Sequence, residues 1–376
     1  MAVATGAIIA NLYYAQPLLH QIARSFHASP TGVSLVITCS QAGFAVALVF
    51  VLPLGDRHPR RRLLATLYAL TVGGLVLCAL SPSLWVFELA VLGTGLATVG
   101  GQVMIPFAAD LAEPARRGRV VARLMTGLLT GILLARTLAG AVADLLGWRA
   151  IYWVSAALMA VLAVVLAVAL PEDRPRQALP YRDLVVGTLR LFLDEPIVRR
   201  RAAYGATVFG SFTVLWTALA FLLSGPPYHY SSLVIGLFGL AGVAGVAAAN
   251  LAGRLADARR TQLSTLLAAV LTLASYAALA LGHTSLAALL VGIVVLDVGE
   301  QSMHITSQAV IYEVAPEARS RVNSAYMTCF FAGGAVASSA TGAVLAADGW
   351  TGVCALGAGF AVLALVMALH ERWHAT

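Results

Sequence analysis

The sequence predicts an all-α membrane protein of twelve transmembrane helices in two six-helix bundles. Three observations carry that prediction. Of the 376 residues, 60% are hydrophobic and only 11% charged, a balance that a soluble domain of this size does not keep on its surface. The apolar positions gather into twelve segments of roughly 18 to 25 residues, enough to cross a hydrocarbon core of about 30 Å at 1.5 Å per residue. The third is that the two halves of the chain repeat one another.

In order, the segments lie near residues 2–22, 31–52, 63–80, 84–108, 119–139, 150–170, 202–224, 232–252, 262–281, 286–310, 322–346 and 350–370. The first has neither a charged leader nor a small-residue cleavage site, so it reads as a retained helix. Pro17 is expected to bend it. The one long polar stretch, 171–201, separates six segments from six. This gives an N-terminal bundle over 1–170, a cytoplasmic linker over 171–201 and a C-terminal bundle over 202–376. Within the linker, "YRDLVVGTLRLFLDEP" suits either a plain tether or an amphipathic helix along the membrane surface. In the second case Leu184, Val185, Leu189, Phe192 and Leu193 form its apolar side. Cys39, Cys78, Cys329 and Cys354 all fall inside spans at spacings that suggest neither a disulfide framework nor a zinc site, and they read as packing residues.

The net charge of +7 is topological rather than a nucleic-acid footprint. Every basic residue is Arg, and 21 of the 24 fall in loops on one side of the predicted spans. Arg24 and Arg149 lie on the other side, and Arg136 lies within a helix. The positive-inside rule then places both termini in the cytoplasm and the protein in the cytoplasmic membrane.

The repeat has a fixed offset of 202 residues. Pro114, Arg117, Arg119, Val120, Met125 and Thr126 match Pro316, Arg319, Arg321, Val322, Met327 and Thr328. Gly131, Gly140, Gly147 and Trp148 match Gly333, Gly342, Gly349 and Trp350. Ten identities in register make the fifth and eleventh segments equivalents. Parallel six-span repeats are one arrangement of secondary transporters, with the substrate site between the halves near the membrane midplane.

The tenth segment carries "LDVGEQSMHI" (296–305). At 100° per residue Asp297, Glu300, Gln301, His304 and Gln308 fall within an arc of about 100° on one face. A charge at mid-bilayer costs at least about 2.5–3.5 kcal/mol on insertion scales. That face therefore needs a wet cavity, partners or protonation. Three readings stay open for it: proton coupling through Asp297, Glu300 and His304; binding of a cationic or polyhydroxylated substrate, with a metal cation as a narrower case; or a structural polar network. Arg136, about 25 Å along its helix from Arg119, is expected either to face the interior or to snorkel to the outer interface. In the interior it would meet Asp297 or Glu300, or bind an anionic substrate group. Glu88, close to a helix end, ranks below these carboxylates.

The loops "PLGDRHPRRR" (53–62) and "GRLADARR" (253–260) each place an Asp past a helix end before an Arg cluster. With these, the whole chain resembles the major facilitator superfamily, whose loop motif runs Gly-x-x-x-Asp-Arg-x-Gly-Arg-Arg. Asp56, Arg57, Arg60 and Arg61 match it, and Gly253, Arg254 and Asp257 keep part of it in the second half. "NLYYAQPLL" (11–19) and "GILLARTLAGAVADLLGWR" (131–149) resemble the bacterial drug and metabolite efflux branch. Where that branch often carries Gly-Pro in the fifth helix, this chain has Arg136 and Thr137.

The resemblance implies the major facilitator fold and alternating access by rocking bundles, usually proton-driven. It also implies a latch at Asp56, Arg57, Arg60, Arg61, Arg254 and Asp257. Helices 1, 4, 7 and 10 line the family's cavity, so Asn11, Tyr14, Gln102, Gln301 and Gln308 become candidate substrate contacts beside Arg136 of the fifth segment. The expected function is proton-coupled efflux of small organic molecules. The alternative is a metabolite importer or facilitator whose tenth-helix stripe binds substrate or a metal cation. Protons, a small molecule and membrane lipid are the expected partners of a monomer, without nucleic acid or cofactor. No Gly-Lys nucleotide motif is present, and "EQSMH" is not the His-Glu-x-x-His spacing of an enzyme.

Overall fold

A computed structural model describes residues 1–173, 180–243, 260–314 and 318–373. Gly253, Arg254, Asp257 and Pro316 lie outside the described residues. Nine described helices are long and apolar enough to cross a membrane. One of them, Arg319–Trp373, is two spans joined at Gly349. Another pass is built from two shorter helices, Ala2–Ala10 and Leu19–Ser25, and Ser232–Ala241 forms a shorter apolar helix. The arrangement is consistent with twelve passes in an all-α fold.

The helices used below are α1 (Ala2–Ala10), α2 (Leu19–Ser25), α3 (Pro30–Phe50), α4 (Leu54–Arg57), α5 (Arg60–Leu80), α6 (Leu84–Thr98), α7 (Gly100–Leu111), α8 (Arg117–Leu146) and α9 (Ala150–Ala169). Then follow α10 (Tyr181–Asp194), α11 (Pro196–Ser224), α12 (Ser232–Leu237), α13 (Thr261–Ala280), α14 (Leu286–Val314) and α15 (Arg319–Trp373). In the first half α1 packs on α8, α3 on α6 and α5 on α9; in the second, α11 packs on α15 and α13 on α14. Two long contacts cross between halves, α3 with α15 and α8 with α12. Large apolar side chains such as Trp85, Leu145, Val168 and Val336 stay exposed, as a hydrocarbon surround requires.

Those two crossing contacts are one contact made twice. A Cβ on Gly140 of α8 would collide with the Ser232 carbonyl, and one on Gly342 of α15 with the Pro30 carbonyl, 2.5 Å away. The 202-residue offset relates both pairs. It also relates Ser29 and Ser231, whose side chains accept from Gly32 N and Val234 N as N-caps of the approached helices. Gly147 and Gly349, at φ +85° and +60°, turn the chain out of its helix at equivalent places, a conformation that side chains disfavour.

The linker helix α10 buries Leu184, Val185 and Thr188 and half-buries Phe192, while Leu189 and Leu193 remain exposed. It packs against α15, α11 and α3, and Tyr181 donates to the Phe50 carbonyl at 2.6 Å. The stretch is therefore helical rather than a plain tether, with Leu184, Val185 and Phe192 but not Leu189 and Leu193 on its packed side.

Candidate functional site

Arg136 is the centre of the site, 3% exposed in the middle of α8. Its Nε donates to Gln16 Oε1 at 2.6 Å, and its guanidinium lies over Trp216 at 4.0 Å and Tyr13 at 4.9 Å. Such stacking suits a weakly hydrated, delocalised cation. Its Nη2 is buried without an acceptor. The neighbouring segment makes room by lacking side chains. A Cβ on Gly236 would meet the Arg136 carbonyl, and one on Gly239 would meet the Arg136 side chain at 3.0 Å.

Across from it, α14 carries the stripe. Asp297 and Glu300 are each 4% exposed, and Asp297 Oδ2 has no hydrogen-bond donor. Asp297 interacts electrostatically with Arg136, but among the described residues they form no ion pair within 4.0 Å. Glu300 is within electrostatic range of Tyr13 and Tyr326, and Gln301 lies next to it on the helix. One turn on, His304 Nδ1 meets the Tyr326 hydroxyl at 3.1 Å and its ring packs on Phe330. A further turn places Gln308, which donates to Asn323 Oδ1 at 3.1 Å, as does Tyr312 at 3.0 Å. A polar track thus runs along α14 from Arg136 towards the face that carries the linker.

The structure brings Arg136, Asp297, Glu300, Gln301, His304 and Gln308 along one line. Asn11 and Tyr14 turn elsewhere. Asn11 Oδ1 accepts from Ser155 on α9 at 2.7 Å, its amide donates to Ala7 and Ile8 carbonyls, and Tyr14 lies beside the same serine. Gln102 is half-buried on α7. Tyr13 and Gln16 face Arg136 instead, because α1 stops at Ala10. Asn11, Leu12 and Tyr13 donate to carbonyls three residues back, and a 3₁₀ turn over Gln16–Leu18 follows. Pro17 lacks the N–H that would bond Tyr13 and crowds that carbonyl, so the first pass is overwound where it meets the site. Trp216, Tyr326 and Asn323 carry no polar-stripe signal in their own helices. The glycines at 236, 239 and 242, three apart in "GLFGLAG", make room instead for Arg136, Leu133 and Asp297, and Gly205 makes room for Tyr326.

At the linker face, Arg60 is 5% exposed and ties α5 to its neighbours. Its Nη1 meets Asp110 Oδ2 at 2.6 Å, Nη2 lies 3.7 Å from Asp56, Nε donates to Gly55 O, and its backbone N–H donates to Asp173. Arg61 donates to the Ala167 carbonyl and lies 3.9 Å from Glu172, while Arg57 is exposed. Arg60→Ala is expected to destabilise the bundle by about 1–3 kcal/mol, since Asp110 is partly solvated. Thermal unfolding in detergent checks this, with Arg60→Lys recovering part of the loss.

At the opposite face, Asp144 joins the halves. Its two oxygens accept from Ser232 N at 3.0 Å and Leu233 N at 2.9 Å, at the start of α12. Gln21 donates to Ser232 Oγ at 2.7 Å and Thr137 to the Gly236 carbonyl at 3.1 Å. Carboxylate bonds to helix-end amides contribute about 1–3 kcal/mol. Asp144→Ala should therefore populate a state open at this face by about tenfold or more. Spin labels at Leu146 and His229 would report a longer-distance population, and an unchanged distribution would refute it.

Among the described residues no three His, Cys, Asp or Glu side chains converge as a metal-holding group. The family model described as Major Facilitator Superfamily matches residues 1–296 and 263–373. The putative uncharacterized transporter YgaY of Escherichia coli is 45% identical over 98% of this chain and 93% of its own. A probable transporter of Streptomyces coelicolor is 35% identical over 96% and 84%. Among solved structures, a bacterial homologue of the human lysosomal transporter Spinster, inward-facing and unoccupied, superposes with a TM-score of 0.77 at 14% identity. It covers 98% of this chain and 93% of that one. With its helical multi-pass fold, its internal repeat and a family match over nearly its whole length, the chain belongs to the Major Facilitator Superfamily and is a transporter.

Proposed function

We propose that the protein is a proton-coupled exporter of small organic molecules, acting as a monomer in the cytoplasmic membrane. Its bundles, 1–170 and 202–376, rock about a site between them while the linker 171–201 spans their cytoplasmic ends. The distribution of Arg supports placing both termini inside. The observation that carries the proposal is that Asp297 and Glu300 are buried at the seam between halves without an ion pair among the described residues.

Whenever water leaves that seam, each carboxylate needs a proton or a cationic ligand to balance it. A carrier that alternates between these two occupants exchanges one for the other. His304, Gln308 and Tyr312 continue the polar track towards the cytoplasmic face and suit proton passage. Arg136, Gln301 and Gln102 offer substrate contacts from three helices. Asp144 at the external face and the Asp56, Arg57, Arg60 and Arg61 group at the cytoplasmic face hold the alternating ends.

Transport of a fluorescent efflux reporter such as ethidium in proteoliposomes, with and without an imposed pH gradient, tests the proposal. Gradient-driven accumulation is expected. Equal flux with and without the gradient would instead fit a facilitator in which the stripe binds substrate alone.

A further inference from the structure

Arg136 Nη2, Trp216 Nε1 and Asp297 Oδ2 are all buried without a hydrogen-bond partner. Buried polar atoms are rarely left so, and unpaired buried charges more rarely still. Here a donor pair sits on one side, Arg136 with Trp216 stacked at 4.0 Å. An acceptor pair, Asp297 and Glu300, sits on the other. The two charges feel each other but stand beyond ion-pair reach. The arrangement is complementary to something inserted between them. Gly242 keeps the acceptor side open, because a Cβ there would lie 3.5 Å from Asp297 Oδ2.

We propose that this site binds a zwitterion of the amino-acid type, its carboxylate on Arg136 and Trp216 Nε1 and its ammonium on Asp297 and Glu300. A neutral ligand would leave both protein charges uncompensated in an apolar seam. A simple anion would answer Arg136 and add repulsion at the carboxylates, and a simple cation would do the reverse. With one proton shared by Asp297 and Glu300 the seam holds one charge of each sign, and a zwitterion matches both without adding net charge.

Gln16 holds the guanidinium by Nε, which leaves Nη2 without a protein acceptor and able to take the ligand's carboxylate. Phe212, half-buried and 5.9 Å from the Trp216 ring, extends an apolar wall beside the charges. This suits a large apolar side chain on the ligand. The inference rests on the proposed exchange at Asp297 and Glu300. An ammonium and a proton claim the same oxygens, which is the competition that an antiporter requires.

The test measures thermal stabilisation of the purified full-length protein at one fixed pH and without any gradient. The probes are L-phenylalanine, phenethylamine, 3-phenylpropanoate and glucose. The expected result is an apparent affinity for L-phenylalanine roughly tenfold or more above that for the amine or the acid, with no response to glucose. Arg136→Gln should lose the preference for L-phenylalanine over phenethylamine, and Asp297→Asn the preference over 3-phenylpropanoate. If either variant fails to fold, the wild-type ranking alone decides.

No response to any probe, or equal responses to zwitterion, amine and acid, would overturn the proposal. That failure leaves coupling intact if ethidium flux still follows the pH gradient. Zwitterion binding with L-phenylalanine flux that does not follow the pH gradient would sink the coupling and keep the ligand class.

Discussion

Asp297→Asn leaves the reconstituted protein unable to accumulate substrate against its gradient when a pH difference is imposed, with flux no greater than that of protein-free vesicles. Flux of the same substrate down its own concentration gradient persists. Asparagine keeps the shape and polarity of the side chain but cannot gain or lose a proton, so the exchange is removed while a path for downhill flux remains, with altered ligand preference. Glu300→Gln gives the same separation, because both carboxylates lie on the α14 face that meets Arg136 and Tyr13. Gradient-driven accumulation by Asp297→Asn at the wild-type level would show that coupling resides elsewhere.

The second large effect is structural. Gly131→Val should destabilise the N-terminal bundle by at least about 3 kcal/mol. A Cβ at Gly131 would run into the backbone carbonyl of Gly6, and one at Gly6 into the carbonyl of Gly127. Backbone cannot rotate aside as a side chain can, so α1 and α8 must separate. Separation would carry Tyr13 and Gln16 away from Arg136. Gly73→Ala, whose Cβ would meet nothing within 4 Å, should stay within about 1 kcal/mol of wild type or rise slightly through helix propensity. Thermal unfolding of both variants in detergent checks the pair, and equal midpoints would refute the contact.

What could be read from the sequence divides along physical lines. The spans follow from a solvent that tolerates no unpaired backbone, so composition and length alone mark them. The repeat was visible because its contacts recur: Gly140 on Ser232 and Gly342 on Pro30 are two copies of one close approach. The stripe from Asp297 to Gln308 was readable because α14 is one continuous helix, so constant angular spacing holds along it.

The first pass was not readable in that way. Constant spacing points Asn11 and Tyr14 together, and they do share a direction, but it faces Ser155 on α9. The overwound stretch around Pro17 presents Tyr13 and Gln16 to the site instead. For Arg136, cost alone left the interior or the outer interface open, and the structure shows the interior. Its partners Gln16 and Trp216 come from other helices, and no single-helix pattern reports them. The structure gives neither Asp297 nor Glu300 to it as an ion-pair partner.

The central claim is that Asp297 and Glu300 hold exchangeable protons at the seam between the halves. pH-difference infrared spectroscopy of the reconstituted protein tests it most directly, through the carbonyl stretch of protonated carboxyl groups. The account predicts a buried-carboxyl band that titrates in the wild type and loses a component in Asp297→Asn and in Glu300→Gln. A spectrum without a titrating buried carboxyl, or one unchanged in both variants, would contradict it.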